Sequence, residues 1–491
     1  MRKKIVIYLI LIGGGILFVN LFYQESMGLN TVIFSVPLLV ITLLKNAREA
    51  PYSLEISGLA TATFLAALAV VGNDSFLAKT MYWFALLLFL GFIQHQYVRF
   101  IPLAFSAALS NMVLLPWTIF QSWISPQKLN INFNNVLKQF LQLVLPTGLF
   151  LLFLGIYYLA NTKFSGMVDQ VIFQLDRITH LDINPSKVAL FLVGFLLLGA
   201  GTLTAPLKSF FSTIQSKFGL NLYRKRGQKR QGIFAVIFPT LILKNRFKAS
   251  IITLTMLNAL LFIVNLTDLR YVWFSRRALS ANELSEYVHE GTSLLILAVL
   301  LAALVLMLIF RKNLNFFPNN EGLKKLAYAW IGQNLFMVFS VANRNFQYLA
   351  NYGLTHKRIG VFIFLLIVVV GLVTLHIKIR DQKSTYFLWH RNSWSVFLIL
   401  LVASFVNWNL LITRVNIHAS FIKHLDVNYL FFDLPAQNAF LLEKNKTFLF
   451  SQSLDRLESL QKGLERKVKQ AKKTKNIRSW NWPYYLNKKA L

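Results

Sequence analysis

Cysteine is absent from the 491 residues, which removes disulfides, thiolate nucleophiles, iron–sulfur clusters and cysteine zinc sites together. Charge is also scarce. Asp, Glu, Lys and Arg make up 14% of the chain against 56% apolar residues, too little polar surface to cover a soluble globule of this length. Acids are scarcest, 19 against 51 Lys and Arg. None lies in the middle of an apolar run, where ion-coupled pumps hold their proton-carrying groups, and this disfavours a proton-driven transporter. Soluble-enzyme templates are missing too: there is no G-x-x-x-x-G-K phosphate loop and no G-x-S-x-G nucleophile elbow. The run Gly13 to Gly15 sits inside an apolar stretch with no strand before it, so helix packing or flexibility is its use.

What the chain does have is long, non-alternating apolar runs, recurring from the N-terminus to about residue 411. A bilayer core of about 30 Å needs roughly 17 to 25 such residues per helix, and the lack of alternation argues against a barrel. The expectation is an all-α polytopic integral membrane protein with about 12 transmembrane helices. Candidate spans are 5–22, 31–44, 54–72, 80–94, 99–120, 139–160, 187–205, 249–266, 292–310, 326–342, 358–377 and 394–411, the second and fourth being short. Residues 232–243, interrupted by Pro239, read as an interfacial or re-entrant alternative. Met1 to Lys4 followed by an apolar run resembles a signal peptide without a small-residue cleavage site, so it reads as a retained first helix.

The formal charge of +32 falls outside the apolar runs, as expected for Lys and Arg that orient helices and meet anionic membrane lipid; no nucleic acid is implied. The segment 207–248 holds about ten Lys or Arg and no acid, which places it in the cytoplasm with the N-terminus. Seven spans between two cytoplasmic points is a parity conflict, and the weak second span is the first suspect. Four segments follow: membrane helices 1–206, the basic loop 207–248, membrane helices 249–411, and a basic helical tail 412–491 outside the membrane, small and opposite the loop. In the tail Leu454, Leu457, Leu460, Leu464 and Val468 recur at helical spacing, with Ser451 or Ser453 as a cap, giving a helix that lies on the membrane, docks on the protein's own loops or receives a partner.

Three ordered blocks carry a resemblance. The first is Leu266 to Phe274 (LTDLRYVWF) with Ser285 to Gly291 (SEYVHEG); the second is Tyr352 to Arg358 (YGLTHKR); the third runs from Ile412 to Ile417 (ITRVNI) through Leu425 to Leu430 (LDVNYL) to Arg478 to Asn481 (RSWN). Together they resemble an uncharacterised bacterial polytopic membrane family, a domain of unknown function, matched mainly over residues 250–491. The resemblance implies a multi-pass protein of a bacterial inner membrane and brings no activity with it. At His289 and Glu290 the chain departs from the family pattern, where a basic residue often precedes the glycine.

The densest ionisable group near a membrane boundary is Asp268, Arg270, Glu286, Tyr287, His289 and Glu290. Ion pairs of Asp268 with Arg270, and of Glu286 or Glu290 with Arg276, would staple two helix ends; the alternative is a site for a cation, a proton or a polar head group. One histidine and two carboxylates lack a specific metal motif, so no metal and no cofactor is expected. Gly353 reads as a turn before a capping Thr355, with Tyr352 and Arg358 beside it, while Arg414 and Asn416 follow the last span as head-group anchors or binding residues. Asn258, Asn265, Asn334, Asn407 and Asn409 are amides able to join helices. The leading functional reading is a non-enzymatic accessory, scaffold or signalling protein with a membrane or membrane-associated protein partner. The alternatives are a solute or lipid transporter with a neutral pathway, and a membrane-embedded enzyme acting on a lipid-linked substrate.

Overall fold

A computed structural model describes residues 2–46, 53–116, 118–119, 163, 166–167, 170, 184–203, 207–223, 243–274, 281–310, 312–419, 422, 424–452 and 454–491. Among them the regular structure is helical, with one isolated β-bridge between Asn221 and Lys383. The helices are α1 (Arg2–Phe22), α2 (Leu29–Asn46), α3 (Leu54–Asn73), α4 (Phe76–Gln94), α5 (Ile101–Val113), α6 (Pro185–Thr202), α7 (Lys208–Ser216), α8 (Leu243–Asp268), α9 (Ala281–Ile309) and α10 (Glu321–Tyr352). There follow α11 (His356–Arg380), α12 (Thr385–Ser404), α13 (Trp408–His418), α14 (Ala439–Lys444), α15 (Lys446–Ser451), α16 (Leu457–Lys472) and α17 (Trp482–Ala490). Seven are long and apolar enough to cross a membrane, and the pair α12 and α13, bent by 62°, raises the number to eight among the described residues.

Polarity runs inside out, as a lipid solvent requires. On α1, Ile5, Leu9, Ile12 and Ile16 are exposed at helical spacing, and α2 exposes Ile33, Val36, Val40 and Leu44 while burying Asn30, Thr31, Ser35, Thr42 and Asn46. Without water every inward polar group needs a protein partner. Ser35 Oγ donates to Tyr82 Oη at 3.0 Å, and Asn46 Nδ2 donates to the Gly201 carbonyl at 3.1 Å. The suspected second span is therefore a helix of the bundle, and its weak hydropathy is the signature of a polar inward face. The candidate span 139–160 lies outside the described residues.

Two apolar cores result. Phe18, Phe34, Tyr82, Phe89 and Leu197 centre the first, on α1 to α6. Leu254, Leu306, Trp330, Val338 and Leu372 centre the second, on α8 to α11. Helix α12 serves both, giving Phe387 and Leu388 to the second and Phe397 and Leu401 to the first. Close approach in the first core depends on glycine: a Cβ on Gly194 would stand 2.8 Å from the Gly14 carbonyl oxygen, and one on Gly91 would stand 2.1 Å from that of Ala104. Gly14 is thus a packing residue, whereas Gly13 faces open space.

The bundle has two distinct ends. At one, Gln94, Lys45 and Asn46 meet Thr202 and Gly201, and Ser384 and Lys383 meet Gly219 and Asn221. At the other, residues 425–491 form a folded cap. Its core joins Leu430, Phe431, Leu442, Leu449, Leu460 and Leu464 to Leu349, Ile359 and Ile412 of the bundle. Docking on the protein's own helices is therefore the use of the apolar face of α16. Its start differs from expectation: Arg456 occupies the N-cap without a side-chain cap, and Ser451 belongs to α15 instead.

Candidate functional site

Helix α8 directs Asn258, Asn265 and Asp268 at one side of α10, because steps of seven and three residues keep them on one face. Asn258 Nδ2 donates to the Leu326 carbonyl at 3.1 Å and its Oδ1 accepts from Gln333 Nε2 at 2.9 Å. Asn265 Nδ2 donates to the Gln333 carbonyl at 3.1 Å. The ladder ends on an ion pair between Asp268 and Arg344, each side chain 6% exposed. Past Asp268 the helix widens into a π-turn, Leu269–Trp273, and Trp273 Nε1 donates to Ser340 Oγ at 3.2 Å.

This corrects the expected staple. The buried partner of Asp268 is Arg344 on α10, and Arg270 is exposed. Sequence reading missed Arg344 because the apolar window 326–342 stops before it, whereas α10 continues to Tyr352. The polar steps Gln333, Ser340 and Arg344 could have revealed it. Glu286, Tyr287, His289 and Glu290 fall in the early turns of α9, and their side chains, like Arg276, lie outside the described residues.

The next residue of α10 carries the network onward. Asn345 Nδ2 donates to the Arg358 carbonyl at 3.0 Å, and Arg358 Nη1 donates to the carbonyls of Tyr352, at 3.1 Å, and Gly353. The guanidinium stands 4.2 Å from the centre of the Tyr348 ring, a cation–π contact. Thr355 caps α11 as expected, accepting from the Arg358 N–H. Gly353 has φ +79°, and a Cβ there would stand 2.8 Å from Asn416 Oδ1. Asn416 is buried and bridges both backbone groups of Leu354, accepting its N–H at 2.6 Å and donating to its carbonyl at 2.9 Å. Asp268, Tyr352, Arg358 and Asn416 thus share one network, while Arg414 is exposed on the far face of α13.

The cap is tied to both bundles at Asp74, in the turn between α3 and α4. Its carboxylate meets Lys79 at 2.6 Å, Lys475 at 3.3 Å and Asn481 Nδ2 at 3.0 Å, and its carbonyl accepts from Gln437 Nε2 at 2.9 Å. Gln437 Oε1 accepts from Asn409 Nδ2 at 2.8 Å, and Asn409 Oδ1 lies 2.7 Å from His356 Nε2 at the head of α11. Of the other span amides, Asn334 bonds within its own helix and Asn407 caps α13 at the bend.

Inside the cap, Lys467 is 5% exposed and donates to the carbonyls of Leu430 and Leu434, at 2.8 and 2.7 Å, and to Asn438 Oδ1 at 3.1 Å. Burial lowers its pKa from 10.5 to about 8, partly offset by the Asp433 carboxylate. Between these values the unfolded chain holds a proton that the native cap has released, so cap stability rises with pH across that window. We expect a gain on the order of 3 kcal/mol from pH 8 to 10.5, read from proteolysis of the cap and abolished in Lys467→Met. A flat profile in the native chain would refute it.

The network's chemistry is that of a structural lattice with spare acceptors. Asn265 Oδ1, Gln333 Oε1 and Asp268 Oδ2 are buried with no hydrogen-bond partner among the described residues. They are able to accept from water or a polar solute.

A family model described as Domain of unknown function (DUF4153) matches residues 32–440. The match reaches further into the first half than the sequence blocks do, and it stops short of Arg478 to Asn481. No curated protein and no solved structure matches the chain.

Proposed function

The chain belongs to the DUF4153 family, a domain of unknown function, and from that premise we propose that it is a non-enzymatic accessory, scaffold or signalling partner in a bacterial inner-membrane complex. In this reading about twelve spans cross the membrane. The basic segment 207–248 faces the cytoplasm and meets anionic lipid, and the tail 412–491 stands outside the bilayer on the far side. The observation that carries the reading is the cap. Its inner polar groups Gln437 and Asn481 are mated to the bundle at Asp74, so they hold it as a rigid platform rather than offering catalytic groups. Outward, Arg466 and Lys469 of α16 and Lys473 just past its end are exposed as a cationic patch suited to an acidic protein surface.

Extraction in a mild detergent at native expression, with mass spectrometry of bound proteins, tests this. The expected result is a stoichiometric partner that is lost when Arg466, Lys469 and Lys473 are all replaced by glutamate. Recovery of the bare chain would sink the proposal. A second reading, a transporter with a neutral pathway, is favoured by the three spare acceptors between α8 and α10. It requires solute flux into proteoliposomes that Gln333→Leu abolishes.

A further inference from the structure

Helices α9, α11 and α12 enclose a groove of about 250 Å³. Val299, Leu300, Ala303 and Met307 form one wall, Leu388, Asn392 and Val396 the other, and α11 the floor. Gly371 lies in that floor, and a Cβ on it would meet nothing within 4 Å. Leu300, Leu304, Leu366 and Leu398 surround the groove as exposed apolar side chains, so its mouth faces hydrocarbon and not water. The volume lies below the roughly 300 to 1,000 Å³ of pockets for bulky ligands, and suits a single chain.

Two polar features give the groove a direction. Asn392 accepts at Oδ1 from Thr374 Oγ1 at 2.7 Å, while its NH₂ has no partner among the described residues. Arg391, exposed beside it, leans toward the start of α12: its guanidinium carbon stands 5.9 Å from the ring centre of Phe387, one turn earlier. A long cationic side chain leaning that way snorkels to the bilayer interface. Arg391 forms no ion pair with a carboxylate among the described residues; Asp381, at the end of α11, is paired with Arg380 at 2.8 Å.

We propose that this groove is a binding site for an anionic phospholipid, with one acyl chain along Gly371, an ester carbonyl accepting from the Asn392 amide, and the phosphate held by Arg391. The apolar groove supplies most of the burial, and the guanidinium selects negative head groups by charge-assisted hydrogen bonds. The site depends on the chain lying in a membrane and is independent of the scaffold reading, since it faces lipid away from the cap.

The test is native mass spectrometry of the full chain in mild detergent, titrated with phosphatidylglycerol or phosphatidylcholine. One phosphatidylglycerol should bind in preference to phosphatidylcholine. Gly371→Phe, which fills the groove, should remove that bound lipid. Arg391→Gln should weaken phosphatidylglycerol about tenfold and phosphatidylcholine, whose phosphate is already balanced by its own ammonium group, by less. Gly371→Met guards against a misfolded Phe variant, and the melting temperature of each checks the fold. Equal retention of both lipids, or unchanged phosphatidylglycerol binding in a folded groove-filling variant, would overturn the proposal.

Discussion

Asp268→Ala is expected to destabilise the second bundle by about 3 to 5 kcal/mol, because it leaves the Arg344 guanidinium buried without its carboxylate. Both side chains are 6% exposed, so water does little to compensate the survivor. Arg344→Ala should cost a similar amount for the mirror reason. The double variant Asp268→Leu with Arg344→Met should be milder than either, since removing both charges also removes their desolvation penalty. Reversible unfolding in a detergent titration measures all three. Additive losses would show that the two groups are not coupled as the geometry requires.

The second large effect is expected at Asn416. Asn416→Leu strips both backbone groups of Leu354 of their partner in a buried turn, and each orphaned group costs about 1 to 3 kcal/mol. The cap should then open at its hinge with the bundle, read as faster proteolysis between residues 419 and 491 and loss of hydrogen-exchange protection at Leu354. Gly353→Ala should disturb the same turn, costing about 1 to 3 kcal/mol from the φ of +79° and ψ of −177°, with its Cβ pressing on Asn416 Oδ1 as well. Bundle stability unaffected by Asn416→Leu, with the cap still protected, would mean that the apolar contacts of Leu460 and Leu464 suffice.

Much of the architecture was legible beforehand. Apolar runs located the helices because lipid forces every backbone group into local hydrogen bonds, and a span therefore announces itself within about twenty residues. Asn258 and Asn265 were readable as amides able to join helices, and Gly353 with Thr355 as a turn and a cap, since these depend on residue type and near neighbours. Helix α2 was nearly lost: hydropathy averages over all faces, and its inward face is polar. Arg344 was lost outright, because an apolar window stops where polarity rises although the helix does not.

The sequence by itself determined a cysteine-free, helical membrane chain with basic segments at its boundaries and an amphipathic helix near its end, all properties fixed by composition and short-range periodicity. Only the tertiary structure decided that Asp268 pairs with Arg344, 76 positions away, that Asn416 closes the Leu354 turn, that Asp74 anchors the cap, and that α12 joins two cores. Each of these is a choice among several chemically adequate partners. Spacing along a chain ranks none of them, and the choice falls to whichever side chains the packed helices bring within hydrogen-bonding reach in a solvent that offers no water instead.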